Sequence, residues 1–89
     1  MTKEINGLTS DRAKTHGDFD LSSLFVRRVY KEITSSPNFH NLTPQQERGL
    51  RMIVEKLSRI LYGDSQFLDH WIDIEGYAKL INDSILYKE

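Results

Sequence analysis

Cysteine is absent from this sequence of 89 residues, and tryptophan occurs only once. Without cysteine the chain has neither disulfides nor thiolate metal ligands, which is compatible with a reducing compartment. No apolar run approaches the roughly 18 residues of a transmembrane helix, and the N-terminus lacks the apolar core of a signal peptide. We therefore expect a cytoplasmic protein that makes no use of the membrane.

A large excess of charge of either sign is also lacking. Twelve basic and thirteen acidic residues give a formal net charge of −1. Because a general nucleic-acid-binding protein usually carries a basic face, this balance argues against that function. A chain this short forms one domain with a thin margin of stability, so good helix packing or self-association must stabilise it.

What the sequence does contain is apolar residues at three- and four-residue spacing, which is typical of amphipathic helices. A first helix is predicted from a cap at Asp20 or Ser22 to about Ile33. It is preceded by a polar loop and by a flexible tail, residues 1–9. We see no strand pattern and no internal repeat.

A second helix has strong boundary signals. Thr43 is suited to the N-cap, Pro44 to the first helical position and Gln46 to the third, as in a capping box. The helix should run to about Tyr62 and end at Gly63, a C-cap that commonly has positive φ. We therefore predict an all-α domain, residues 10–89, with three main helices, the last two forming an antiparallel hairpin.

The third helix, residues 67–86, carries an acidic side chain at the edge of its apolar face. The residues predicted on that face are Trp71, Ile74, Tyr77, Ala78, Ile81 and Ile85. Asp73 projects inside the edge of the face, where a carboxylate requires a partner or a shifted pKa. Because a short turn joins the two helices, residues equidistant from it should meet. This places Lys56 opposite Asp73, and Arg59 opposite Asp69.

This charged cluster has two interpretations. In the first, the pairs are salt bridges that fix the register of the hairpin. In the second, Lys56, Arg59, Asp69, His70 and Asp73 surround a polar pocket. Lysine and arginine would then bind phosphate, and the carboxylates would bind a divalent metal such as Mg²⁺ or Mn²⁺.

His16 and Asp18 flank a glycine in the loop before the first helix. We predict that this loop closes over the hairpin turn, so that His16 and Asp18 join the ligand-binding residues. Asp18, Asp69 and Asp73 would then be the metal ligands. The alternative is that Asp18 only caps the first helix and His16 faces water. The sequence does not identify a catalytic residue.

A second apolar seam on the third helix is indicated by Leu68, Ile72 and Leu86, which lie away from its main apolar stripe. An exposed apolar seam is typical of an interaction surface, so it predicts self-association.

Three motifs carry a resemblance to a known family. They are R-x-x-x-H-G-D-F from Arg12 to Phe19, L-T-P-Q-Q leading to E-K-L-S-R-I-L-Y-G-D, and D-H-W-x-D-I-x-G-Y-A-x-L from Asp69 to Leu80. Together they resemble a family of small uncharacterised proteins of tailed phages and prophages, over residues 10–82. The last motif also resembles phage domains associated with nucleotide modification, which are similar to the all-α MazG-type nucleotide pyrophosphohydrolases.

The resemblance implies a location in the cytoplasm of the host cell and a site built from the loop and the hairpin turn. The MazG-type enzymes hold magnesium with paired glutamates and a Glu-x-x-Asp motif. Here Glu47 and Glu55 lie eight residues apart and face outward, and Lys56 takes the place of a metal ligand. A two-metal hydrolytic centre therefore looks incomplete.

Two functions follow from these observations. The first is an accessory protein that binds a phosphorylated small molecule, most simply a nucleotide, with or without turnover. The second is a helical interaction protein that binds and inhibits or modulates a host or defence-system protein.

Overall fold

The computed structural model describes residues 14–88, which contain helices and no strand. The main elements are α1 (Phe19–Thr34), a short 3₁₀ helix (Phe39–Asn41), α2 (Pro44–Tyr62) and α3 (Leu68–Leu86). This confirms the predicted all-α fold with three main helices. The predicted tail, residues 1–9, lies outside the described range. None of the helices within 14–88 combines the length and apolar character needed to cross a bilayer.

The start of α2 is held by the capping box that the sequence predicts. Thr43 Oγ1 accepts a hydrogen bond from the Gln46 amide at 3.1 Å, and Gln46 Oε1 accepts one from the Thr43 amide at 3.0 Å. These two bonds satisfy backbone donors that a helix N-terminus otherwise leaves without partners.

The start of α1 differs from the predicted cap at Asp20 or Ser22 and confirms the alternative given for Asp18. Asp18, in extended backbone, is the N-cap, and its Oδ1 accepts a hydrogen bond from the Leu21 amide at 3.0 Å. The predicted caps at Asp20 and Ser22 are therefore wrong. Ser22 is buried instead, and its hydroxyl donates to the Phe19 carbonyl at 3.2 Å. All three residues suit an N-cap, so residue type alone could not choose between them.

The central helix is α2, which packs against α1 and α3, whereas α1 and α3 have little contact with each other. The ring of Phe25, early in α1, lies 5.6 Å from that of Tyr62 at the end of α2. The guanidinium of Arg51 lies 5.0 Å from the centre of the Tyr30 ring, further along α1. The two helices therefore run antiparallel, as do α2 and α3.

The core is small. The buried hydrophobic side chains of the described residues are Val54 and Ile60, both on α2. Gly49 allows a close approach between helices, because a Cβ at this position would overlap the Ile81 side chain of α3.

The face of α3 that packs on α2 is rotated from the predicted one. His70 is buried and Ile74, Tyr77 and Ile81 are partly buried, whereas Trp71 is 49% exposed and Ile85 53% exposed. The prediction was therefore correct for three of its residues and wrong for Trp71, Ala78 and Ile85. Apolar residues occur around most of this helix, so their spacing did not define which side would be covered.

Candidate functional site at the hairpin turn

The predicted ion pair between Lys56 and Asp73 is present. Lys56 Nζ lies 2.9 Å from Asp73 Oδ2, and the two side chains are 10% and 44% exposed. The pair joins α2 to α3 at matched distances from the turn, as the hairpin geometry predicts. The Lys56 ammonium is therefore engaged within the fold.

The second predicted pair does not form. Within residues 14–88 no ion pair joins Arg59 to Asp69; those present are Glu47–Arg51, Lys56–Asp73 and Lys79–Asp83. Asp69 lies exposed in the first turn of α3. There a carboxylate is favoured by the partial positive charge of the helix N-terminus without needing a cationic side chain.

The segment before α1 closes over the hairpin turn. The Thr15 carbonyl accepts hydrogen bonds from the Asp64 amide at 3.2 Å and from His70 Nε2 at 2.6 Å. The ring of His16 lies edge-on to that of His70, with 5.3 Å between their centres. Of the loop predicted to close over the turn, His16 and Gly17 lie against it, whereas Asp18 caps α1. His16 therefore does not simply face water.

Two glycines make this close approach sterically feasible. Gly17 has φ +88°, and a Cβ there would overlap the Tyr62 carbonyl. Gly63 has φ −115°, so the expected positive φ at this C-cap is wrong. Glycine is needed at position 63 because there is no room for a side chain. A Cβ would lie 2.6 Å from the Arg59 carbonyl oxygen and 2.7 Å from the Gly17 nitrogen.

His70 is the most deeply buried large side chain of the described residues, at 2% exposed. Because its Nε2 contacts a carbonyl oxygen, which only accepts, that nitrogen carries the proton. The Phe67 ring packs against it at 4.9 Å. The side chain that was predicted to border a small polar pocket therefore lies enclosed in the fold, where it connects α3 to the segment before α1.

The predicted metal ligands Asp18, Asp69 and Asp73 do not form a metal site. No group of three or more acidic or histidine side chains among residues 14–88 is arranged to hold a metal ion. The physical reason is that two of the carboxylates have other partners: Asp18 caps α1 and Asp73 binds Lys56.

A groove not anticipated from the sequence lies between α2 and α3, on the half of the hairpin away from the turn. Its volume is about 320 Å³, and its lining residues are Gln45, Arg48, Gly49, Tyr77, Leu80 and Ile81. The one sequence signal for it was Gly49, a glycine inside a helical pattern, which often marks close packing.

Comparison with known proteins adds no relative. No family model matches the chain, and no curated protein or solved structure is significantly similar to it. The resemblance to a phage family therefore stays a prediction.

Proposed function

We propose that this protein is a helical interaction domain that binds another protein through an apolar face on α2 and α3. The observation that carries this proposal is the small core beside a large exposed apolar area. Two hydrophobic side chains are buried in the described chain, whereas eleven large ones are exposed: Phe19, Leu21, Leu24, Leu61, Leu68, Trp71, Ile72, Leu80, Ile85, Leu86 and Tyr87. Exposed apolar surface on this scale is typical of interaction sites.

The ion pair identifies which exposed residues share one surface. Lys56 and Asp73 touch, so they mark one side of the α2–α3 pair. At about 100° per residue, the exposed Leu61 lies about 140° from Lys56 around α2, and the partly buried Leu57 lies about 100° from it on the same flank. On α3, the residues on the flank away from Asp73 are Trp71, Ala78 and Ile85. We call these five residues the apolar face.

The apolar face suits an amphipathic helix of the partner. Trp71, Ala78 and Ile85 recur every seven residues, and the small Ala78 between two large side chains allows a second helix to approach. Leu61, 62% exposed, extends the surface onto α2.

Binding of a phosphorylated small molecule is supported less well. Lys56 is paired with Asp73, Asp18 caps α1, and His70 is enclosed between Phe67 and the Thr15 carbonyl. Three of the groups predicted to hold phosphate or metal, Lys56, Asp18 and Asp73, thus have partners inside the fold, and the remaining two, Arg59 and Asp69, do not pair with each other. If the chain derives from a phage, as the resemblance implies, the protein partner is a host or defence-system protein.

The test is capture of the partner by variants of the apolar face. Leu61→Asp changes an exposed side chain, so its effect on stability should be within about 0.5 kcal/mol. Gln45→Glu, on the opposite side of the hairpin, adds the same charge as a control. A protein captured by the wild type and the control, but not by Leu61→Asp, supports the proposal. Equal capture by all three would contradict it.

Direct binding is then measured with the purified partner. Trp71 is the one tryptophan of the chain and lies on the apolar face, so its emission should shift to shorter wavelength when the face is covered. In parallel, melting temperatures are measured with nucleotides plus Mg²⁺ or Mn²⁺. A rise that disappears in Lys56→Met would favour the small-molecule function instead, because a ligand that binds the native state raises its stability.

A further inference from the structure

Gly76 lies in the middle of α3, where no contact within the single chain requires a residue without a side chain. A Cβ added at this position would meet no atom within 4 Å. Glycine inside a helix lowers its stability relative to alanine, because it loses more backbone entropy on folding. Gly63 and Gly49 are each explained by a close neighbour, and Gly76 is not.

The neighbours of Gly76 on the helix surface are large, apolar and exposed. Ile72 and Leu80 lie one turn before and one turn after it, at 50% and 64% exposed. Residues spaced by four form a ridge along a helix, and here the ridge has a notch at its centre. A notch between two apolar side chains lets another backbone come close, which is the common use of glycine at a helix crossing.

We propose that the occupant of this notch is a second copy of the chain, with α3 packed antiparallel on α3 across a two-fold axis at Gly76. In that arrangement Gly76 meets its own equivalent, and Ile72 of each copy meets Leu80 of the other. The ridge is self-complementary because large apolar residues stand at equal distances on both sides of the glycine. Packing of four-spaced ridges against each other is the commonest class of helix crossing.

The charges beside the ridge agree with this pairing. Glu75 and Lys79 lie together on one flank of it, where Lys79 Nζ also lies 3.0 Å from Asp83 Oδ2 of its own chain. In the antiparallel arrangement, Glu75 of one copy comes within a turn of Lys79 of the other. Opposite charges at such a distance favour association and help to fix its register.

This surface is separate from the apolar face proposed for a protein partner. The ridge lies on the outer side of α3 towards Asp73, whereas Trp71, Ala78 and Ile85 lie on the other flank. The proposed dimer therefore leaves the apolar face open, and the two proposals can fail independently.

The test is the substitution Gly76→Ala, which should act in opposite directions on two properties of the full-length chain. At low concentration it should raise the melting temperature by about 4 °C, because alanine stabilises the helix interior. It should weaken self-association, measured by sedimentation equilibrium, by about tenfold or more, because the added methyl groups meet at the crossing. Asn82→Ala is the matched control: it also adds alanine to exposed α3 but should leave association unchanged.

Leu61→Asp separates the two surfaces in the same experiment. It should leave self-association unchanged, since Leu61 lies on the apolar face. Three results would overturn the inference: a wild-type chain that stays monomeric at every concentration, association of Gly76→Ala as tight as wild type, or dissociation by Leu61→Asp alone. The last would show that copies associate through the apolar face.

Discussion

Lys56 and Asp73 form an asymmetric ion pair: their charged atoms are 2.9 Å apart, but the lysine is 10% exposed and the aspartate 44%. Removing the aspartate therefore leaves a buried ammonium, whereas removing the lysine leaves a carboxylate that water can reach. Because an unpaired buried charge is the costly outcome, the two single substitutions should differ.

We predict that Asp73→Leu lowers the free energy of unfolding by about 2 kcal/mol and Lys56→Met by about half as much. The double variant should recover much of the larger loss, since neither charge then remains. Denaturant unfolding of the four proteins measures the coupling. Additive single effects would mean that the two side chains do not interact in solution.

A second prediction concerns the turn. Gly63→Ala should lower the free energy of unfolding by about 1–3 kcal/mol, because its Cβ would overlap the Thr15 and Arg59 carbonyls. A positive φ is not the cause, since φ is −115°. Thermal unfolding measures the loss. Gly76→Ala is the control: its Cβ meets no atom of the single chain, so at low concentration, where the chain is monomeric, it should stabilise. Destabilisation by both substitutions under that condition would contradict the packing explanation.

A third prediction concerns His70. Replacement by leucine removes the donor 2.6 Å from the Thr15 carbonyl and should cost about 1–3 kcal/mol. Because the Asp64 amide donates to the same carbonyl, loosening of residues 14–17 should also expose that amide at the hairpin turn. Hydrogen exchange measures this: amides of the hairpin turn should exchange faster, while those in the middle of α2 keep their protection. Unchanged exchange at the turn would refute the connecting role of His70.

A fourth prediction concerns the hydroxyl of Tyr30, which is buried and has no hydrogen-bond partner in the described chain. Desolvation raises the pKa of this phenol; the nearby Arg51 lowers it in part, and Glu47 and Glu55 add to the rise. A raised pKa in the folded state means that stability is complete below the ordinary value of about 10 and falls as the pH rises above it.

Tyr30→Phe should therefore be neutral or stabilising at pH 7, because it removes a polar group without a partner. It should also reduce the loss of stability in alkaline solution. Denaturant unfolding between neutral and alkaline pH measures both effects. Tyr87→Phe is the control, since Tyr87 is 77% exposed and should not change the profile.

Much of the fold could be predicted from local signals. The capping box at Thr43 and the C-cap at Gly63 defined the two ends of α2. The short turn after α2 then placed Lys56 opposite Asp73. These signals depend on residues close in sequence, so they can be interpreted without knowing the tertiary structure. The ion pair followed because an antiparallel hairpin determines which residues face each other.

The composition of the site could not be predicted in the same way. Asp18 and His70 both have the chemistry of ligands, but each has a partner inside the fold. The partner of Asp18 is local, the Leu21 amide three residues away, whereas long-range packing decided that of His70, the Thr15 carbonyl 55 residues away. Trp71 was placed on the packed face by its helical spacing, yet α3 packs a different side on α2 and leaves Trp71 49% exposed. Residue type defines what a side chain can bind, whereas the fold decides what lies next to it.

The central claim is that the charged pair at the hairpin maintains the fold and that the apolar face performs the function. The most direct test measures partner binding by the emission of Trp71 in two variants. One removes the charged pair, and the other changes the apolar face. Lys56→Met with Asp73→Leu should bind like the wild type, and Leu61→Asp should lose binding although its stability is unchanged. If instead Leu61→Asp binds normally and the double variant, still folded, does not, the function lies in the charged cluster and the account is wrong.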